Sequence, residues 1–305
     1  MTLTGVKVAN APLSYGAFEM TVGRFPNVPG PDELLREMAS AGYEGTELGP
    51  PGYLGERGEL RARLERHGLA LTGGWCPIRF SEPEHWQEDL AELERTLGLF
   101  EAAGAREARP VFGDGGSEAR RANPGRGGED ASLGLDEAGW RRFGAGVERA
   151  ADLARSRGFE PTFHPHTSTY VEAPGEIERL LELTDVGLLI DTGHLLAGGN
   201  DPIEALRDWG QRVNYVHVKD VRLDVLRGVI AERADSLEAW RRGIFCELGA
   251  GDVDLEAFFG ELDKTGYSGW VVVEQDRIPR DDEPLSESAE AQVRNRAWLR
   301  EHAGL

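Results

Sequence analysis

The sequence of 305 residues predicts an α/β protein, a (β/α)8 TIM barrel in which residues 1–305 form one domain. Short apolar runs alternate with longer amphipathic runs eight times along the chain. Glycine follows most of the amphipathic runs, and proline or an acid opens several of them, as at helix ends and starts. Strands that alternate with helices pair in parallel through right-handed crossovers. Eight such units favour a closed barrel over a doubly wound sheet, which normally has fewer strands or a second domain.

Each predicted strand is a short, mostly apolar run, and a longer amphipathic run after it predicts a helix. The predicted strands are VKVAN (6–10), YEGTEL (43–48), LALTGGW (69–75), EARPVFG (107–113), FEPTFH (159–164), VGLLID (186–191), VNYVHV (213–218) and GWVVVEQD (269–276). The predicted helices lie within residues 31–42, 56–68, 83–104, 135–158, 173–184, 201–210, 255–266 and 287–304. Pro31 opens the first helix, and Gly68 and Gly104 close the second and the third.

Two segments, at about 114–133 and 219–250, are longer than an ordinary connection between a strand and a helix. The first is rich in glycine and charge without periodicity, and it follows the fourth strand on the face where barrel active sites lie. A mobile lid and a disordered surface loop both fit this pattern. The second contains a predicted short helix, DSLEAWRRG (235–243), and could form one wall of the barrel mouth.

Composition excludes several classes of protein. The formal net charge of −20 disfavours nucleic acids and anionic membranes as general partners. The two cysteines, Cys76 and Cys246, give neither a disulfide framework nor a thiolate metal site. The chain starts without the pattern of a signal peptide, and no stretch has the ~18 apolar residues of a membrane span. We therefore expect a cytoplasmic protein without a membrane partner.

The last four predicted strands end in His164, Asp191, His217 and Glu274. The carboxyl ends of barrel strands converge on one pocket, and an unpaired charge at the end of an apolar run is costly. A single histidine at a strand end is typical of a satisfied core residue. Four ligand-type residues on four consecutive strands instead predict a metal site. Imidazole and carboxylate donors together favour Mn²⁺, Co²⁺, Fe²⁺ or Zn²⁺ over Ca²⁺.

Motifs along nearly the whole chain resemble the xylose-isomerase-like TIM-barrel superfamily of sugar isomerases, epimerases and dehydratases. The motifs are DTGH (191–194), HVKD (217–220) and VVVEQD (271–276). Members typically bind one divalent metal through Glu, Asp, His and Glu at the ends of strands five to eight. The resemblance therefore implies Asp191, His217 and Glu274 as ligands.

The strand-five motif departs from the pattern of many relatives, because HPH (164–166) stands where they carry Glu in an ENH-like motif. With HPHTSTYVE, DTGHLLAGGNDP, HVKDVR, GYSGWVVVEQD and the opening ANAPLSYGAF, this departure is most similar to the inosose dehydratases of myo-inositol catabolism. It leaves open whether His164, His166 or Glu172 is the strand-five ligand.

The resemblance implies a metal-dependent lyase that dehydrates a cyclic keto-polyol, 2-keto-myo-inositol (inosose). A base removes the proton next to the carbonyl, and the β-hydroxyl group leaves. The expected cofactor is one divalent metal, Mn²⁺ or Co²⁺ first, with Zn²⁺, Fe²⁺ and Mg²⁺ as alternatives. A metal-dependent keto-sugar epimerase or isomerase at the same site and a non-catalytic metal-binding barrel are the competing hypotheses. A small polyol or keto-sugar is the expected partner, and the sequence leaves open whether the chain forms a homo-oligomer.

Four residues near the predicted metal are candidates for catalysis: His166, His194, Lys219 and Glu47. His166 could act as acid or base or could support a ligand. Lys219 shares the side-chain direction of His217 if the strand continues, so it could hold an oxyanion or a hydroxyl, or could only pair with Asp220. His194 is implied to contact substrate hydroxyls.

Three further residues are candidates for substrate binding: Asn10, Trp75 and Arg222. Asn10 and Glu47 end the first two strands and could each hydrogen-bond a polyol. Trp75 could stack on a ring face or could merely pack. Arg222 carries less weight, because arginine is abundant in this chain.

Overall fold

Eight parallel strands close into a barrel in the computed structural model, which describes residues 3–280, 282–284 and 286–305. The strands are β1 Val6–Asn10, β2 Gly45–Glu47, β3 Ala70–Ile78, β4 Arg109–Asp114, β5 Thr162–Phe163, β6 Gly187–Asp191, β7 Val213–Val218 and β8 Gly269–Val273. Each strand pairs with the next along the chain, and β8 pairs with β1, where Val8 lies opposite Val271. The predicted barrel is confirmed.

Eight helices follow the strands on the outside of the barrel, one for each predicted unit. They are α1 Pro31–Ala41, α2 Arg57–His67, α3 Trp86–Ala103, α4 Glu137–Ser156, α5 Pro174–Leu183, α6 Pro202–Trp209, α7 Leu255–Thr265 and α8 Ser286–Trp298. Gly68 and Gly104 end α2 and α3 with φ angles of 68° and 72°, in the left-handed region that favours glycine. None of the described helices combines the length and the apolar character needed to cross a membrane.

The side chains divide into an inner and an outer apolar layer. Leu189, Tyr215 and Val272 belong to the small cluster inside the barrel, whereas Val216 and Val218 belong to the large cluster between the barrel and the helices. The alternation along β7 follows from the two-residue period of a strand. The same alternation directs the side chains of residues 217 and 219 inward, and both are polar side chains at the carboxyl end of the barrel.

Residues 114–133 carry a short helix, Glu118–Arg121, and a 3-10 turn, Ala131–Leu133. Arg120 is fully buried, and its guanidinium group pairs with Glu172 and Glu176 near the start of α5. The segment is therefore held against the loop between β5 and α5. An ion pair makes this contact, and a charged pair leaves no apolar periodicity in the sequence.

Residues 219–250 contain two helices, Leu223–Glu232 and Ser236–Arg241, and two short antiparallel strands, Asp220–Val221 and Phe245–Cys246. The sequence predicted only the second helix. Trp240 in that helix stacks on Phe18 with ring centroids 5.4 Å apart, and both rings line the mouth of the barrel. This segment forms one wall of the mouth, as its position after β7 suggested.

Candidate metal centre and active site

Four predicted ligands meet at the carboxyl end of the barrel. Each of His164, Asp191, His217 and Glu274 contributes one donor atom, and these four atoms all lie within 4.8 Å of one another. All four side chains are buried. His164 directly follows β5, Asp191 ends β6, His217 is the fifth residue of β7, and Glu274 directly follows β8. The convergence of consecutive strand ends therefore brings this set together.

The His164 ring presents a free lone pair to the cluster. Its Nδ1 lies 2.8 Å from the carbonyl oxygen of Pro165, and a carbonyl only accepts, so Nδ1 carries the hydrogen. Its Nε2 then faces Asp191 Oδ2 at 3.6 Å. Burial lowers the pKa of His164 well below the ordinary value, so the ring is neutral at pH 7. A neutral imidazole is the form that binds a metal.

The His217 ring is oriented by a carboxylate. Its Nε2 lies 3.0 Å from Glu47 Oε1, and its Nδ1 lies 3.2 Å from Glu274 Oε2. Such a carboxylate on the far ring nitrogen is a common support for a metal-binding histidine. Burial lowers the pKa of His217, but the Glu274 and Glu47 carboxylates outweigh burial and raise it to about 10. The His217 ring is therefore protonated when no metal is bound, and a metal ion at Nδ1 has to displace the proton on that nitrogen.

Two buried polar atoms of the cluster lack hydrogen bonds. Within the described residues, neither Asp191 Oδ2 nor His217 Nδ1 makes a hydrogen bond of good geometry. Their near contacts are ion pairs, from Asp191 Oδ2 to Lys219 Nζ at 3.3 Å and from His217 Nδ1 to Glu274 Oε2 at 3.2 Å. The other oxygen of Asp191 accepts a hydrogen bond of 2.8 Å from the backbone N–H of His194. Burial raises the pKa of Asp191 to about 6. Buried polar atoms without partners are costly, and a divalent cation among these nitrogen and oxygen donors satisfies both.

The three candidates for the strand-five ligand have different surroundings. The Glu172 carboxylate lies outside the cluster, because it accepts backbone hydrogen bonds from Ser168, Gly125 and Gly127 at 2.8–2.9 Å. His166 belongs to a neighbouring group with His194 and Asp276. His164 is the strand-five residue in the four-donor cluster.

Lys219 lines the same cavity as His217, in line with the shared side-chain direction that their two-residue spacing predicted, and it lies between the two groups. Its Nζ is 3.0 Å from Glu274 Oε2, 2.9 Å from Asp276 Oδ1 and 3.0 Å from His194 Nε2. Sequence reasoning did not include Asp276 among the site residues. The same spacing could have identified it, because Asp276 is two residues beyond Glu274 just as Lys219 is two residues beyond His217.

A cavity opens above these groups. Polar, apolar and aromatic side chains all contribute to its lining. The polar lining residues are Glu19, Glu47, His164, His166, His217, Lys219, Glu274 and Asp276. Phe18, Trp75 and Trp240 contribute the aromatic walls. The Trp75 ring lies 5.6 Å from His166 between centroids, so an aromatic face and an imidazole border the same space.

Three residues that were expected to contact the substrate, Asn10, Arg222 and His194, do not line this cavity. The His194 side chain is fully buried behind Lys219, with Nε2 3.0 Å from Nζ, so the expected contact with substrate hydroxyls is not seen. The Asn10 side chain is buried and donates a 3.0 Å hydrogen bond to Gln292 Oε1, so it faces α8 and not the cavity. Arg222 is exposed at the start of the helix that begins at Leu223. A polar residue at or beyond a strand end need not face the pocket. The sequence could not reveal that Asn10 has a partner in α8.

Residues 35–302 match the family described as "Xylose isomerase-like TIM barrel". The chain is 36% identical over 258 residues to an inosose dehydratase of Geobacillus kaustophilus (strain HTA426), covering 81% of this chain and 80% of the relative. It is 34% identical over 295 residues to the rhizopine catabolism protein MocC of Rhizobium meliloti, covering 93% and 86%. A crystal structure of the IOLI protein with a bound zinc atom superposes with a TM-score of 0.68 at 16% identity, over 98% of both chains.

Proposed function

This chain belongs to the xylose isomerase-like TIM barrel family, and we propose that it is a metal-dependent hydro-lyase that dehydrates 2-keto-myo-inositol. One observation carries the proposal: a buried His, Asp, His and Glu set lies under a cavity that also holds a histidine and a lysine. The similarity to inosose dehydratases over most of the chain supports the choice of reaction and substrate.

The proposed metal ligands are His164, Asp191, His217 and Glu274. Two imidazoles and two carboxylates suit Mn²⁺ or Co²⁺, with Zn²⁺, Fe²⁺ and Mg²⁺ as alternatives. When bound, a divalent ion supplies Lewis acidity to the substrate carbonyl, which eases removal of the adjacent proton.

We assign the proton transfers to His166. Its Nδ1 lies 2.8 Å from the carbonyl oxygen of Thr167 and donates to it, which leaves a lone pair on Nε2. Burial lowers the pKa of His166, so the ring is a neutral base at pH 7. Nε2 takes the proton from the carbon beside the carbonyl, and the carbon–oxygen bond to the β-hydroxyl breaks. The protonated ring then gives its proton to the departing hydroxide, and water leaves.

The remaining site residues position the substrate and its partners. The N–H groups of Lys219 face protein acceptors, so its ammonium group acts through its positive charge, which stabilises the substrate oxygen that gains negative charge. His194 packs against His166, with ring centroids 3.7 Å apart, and holds Lys219 through Nε2. Glu47 fixes the His217 ring and offers its second oxygen to a substrate hydroxyl. Trp75 packs against a face of the cyclic substrate.

The proposal is tested by adding 2-keto-myo-inositol to chelator-treated protein before and after it is reloaded with Mn²⁺ or Co²⁺. Dehydration gives a conjugated dione, so ultraviolet absorbance should rise only in the reloaded sample. A His217→Ala variant serves as the control, because it should lose both metal and absorbance change. Loaded protein that leaves inosose unchanged but converts a ketohexose is an epimerase or isomerase, and the dehydratase assignment is then wrong. Loaded protein that turns over neither substrate contradicts both assignments.

A further inference from the structure

The Lys219 ammonium group lies in a cage of atoms that could equally bind a metal ion. Four acceptor atoms lie within 3.3 Å of Nζ: Asp276 Oδ1 at 2.9 Å, His194 Nε2 at 3.0 Å, Glu274 Oε2 at 3.0 Å and Asp191 Oδ2 at 3.3 Å. All of these residues are buried. The distances suit N–H hydrogen bonds and ion pairs, and they are longer than the ~2.0–2.3 Å of metal bonds.

The DTGH motif surrounds Lys219 with four consecutive residues. Thr192 Oγ1 donates to the backbone carbonyl of Lys219 and accepts from its N–H, at 2.6 and 2.9 Å. A Cβ atom on Gly193 would lie 2.9 Å from Lys219 Cγ, so glycine makes room for the buried stem. Asp191 and His194 contact the ammonium group itself. The motif thus positions one lysine as well as one metal ligand.

The hydrogen-bond directions show that His194 presents a lone pair to the ammonium group, as it would to a metal ion. An ammonium group only donates, so His194 Nε2 must present a lone pair to it. Its Nδ1 then carries the hydrogen and donates to Thr167 Oγ1 at 2.9 Å. This is the tautomer and orientation of a metal-binding histidine. His166, His194 and Asp276 also have one donor atom each within 4.8 Å of the others.

The cage and the four-ligand centre share two residues. Asp191 and Glu274 belong to the centre, and each places an oxygen within 3.3 Å of Nζ. Carboxylates that join two cations are the usual feature of two-metal sites, which stabilise developing negative charge from both sides. A lysine in the second position supplies the second positive charge permanently.

We propose that the Lys219 ammonium group is a tethered cation that occupies a second cation site, formed by Asp191, His194, Glu274 and Asp276, and that it limits this centre to one metal ion. The inference rests on the metal centre of the proposed function, but it concerns the number of ions and does not depend on the substrate. Without the ammonium group, the cage with His166 beside it is a nitrogen and oxygen site for a second divalent transition metal.

The test compares two variants that both remove the charge. Lys219→Ala opens the space of the ammonium group, whereas Lys219→Met fills it with an uncharged side chain of similar length. Each chelator-treated protein is loaded with Co²⁺, freed of excess ion and assayed for cobalt. We expect one ion per chain in the wild type and in Lys219→Met, and two ions in Lys219→Ala. Because Asp191 and Glu274 join the two sites, the two Co²⁺ ions should also be spin-coupled in the electron paramagnetic resonance spectrum.

A double variant, Lys219→Ala with Asp276→Asn, should return to one ion because it removes a ligand that belongs only to the second site. One ion in Lys219→Ala, or two ions in Lys219→Met or in the wild type, overturns the inference. No ion in the wild type instead contradicts the metal centre of the proposed function. If Lys219→Ala folds poorly, Co²⁺ present during refolding should restore it by replacing the lost charge. Failure to fold under that condition also overturns the inference.

Discussion

Two histidines in one tripeptide have separate roles at this site. His164 faces the four-ligand cluster through Nε2, whereas His166 lines the cavity next to Trp75 and packs on His194. Pro165 supplies the carbonyl that fixes the tautomer of His164. The sequence alone could not divide these roles, because the chain turns after β5 and the two-residue period of a strand no longer applies.

Replacing His166 with Gln should separate chemistry from metal binding. The amide keeps a polar side chain of similar reach but cannot accept a proton from carbon, so kcat on inosose should fall by about 10²–10⁴. Metal content should stay at the wild-type value, because His166 is outside the four-donor cluster. Steady-state kinetics and metal analysis of the same preparation check this prediction. A kcat within tenfold of the wild type would assign the base to another residue.

The sequence allowed proximity to be predicted for residues at the ends of consecutive strands. His164, Asp191, His217 and Glu274 came together because parallel neighbours in a barrel present their carboxyl ends to one space. Residues whose partners come from distant parts of the chain could not be placed. The partner of Asn10 is Gln292, 282 residues away, and no local pattern encodes that hydrogen bond.

The elements followed the apolar pattern closely, and the differences have local causes. The helix Leu223–Glu232 was missed although Leu226 and Val229 form its buried face, because it lies outside the eight repeated units and contains Gly228. β2 is only three residues long, Gly45–Glu47, although the apolar run suggested six. A short strand with a register shift beside it gives a weak sequence signal.

The segment after β4 depends on buried charges for its packing. Removing the Arg120 guanidinium with Arg120→Met leaves the buried Glu172 carboxylate without its cation, so the free energy of unfolding should fall by about 3–5 kcal/mol. Urea denaturation measures the change. The exposed neighbour provides the matched control, because Arg121→Met should change stability by less than about 0.5 kcal/mol. Equal effects of the two substitutions would show that the buried pair does not hold this segment.

At the scale of the whole molecule, the barrel places many buried charged and polar groups together at the carboxyl ends of its strands. The interior of the carboxyl end holds carboxylates, imidazoles and one lysine, all buried, in a chain whose formal net charge is −20. Burial of charge opposes folding unless partners compensate. Global stability should therefore depend on a cation at the strand ends. The sequence predicted this architecture because eight alternating units with strand-end ligands admit few other arrangements.

Removing the metal should lower the melting temperature of the whole barrel. A ligand that binds only the folded chain stabilises it by about 2.7 kcal/mol at one hundred times its Kd. Differential scanning calorimetry of chelator-treated protein, with and without Mn²⁺ or Co²⁺ at that excess, should show this difference. Ca²⁺ at equal concentration controls for ionic strength and should have little effect, since the site lacks the all-oxygen donors that Ca²⁺ prefers. Identical melting with and without Mn²⁺ or Co²⁺ would argue against a cation in the centre.

The contacts of Glu172 link the loop after β4 to the loop after β5, so substitutions in one loop depend on the other. One carboxylate joins the backbone at Gly125 and Gly127 to the backbone at Ser168, so the loop after β4 and the loop after β5 share one anchor. A chimera that imports the first loop from a relative must also import the second, together with the anchor. Recombination between relatives is therefore safer outside this pair of loops than between them.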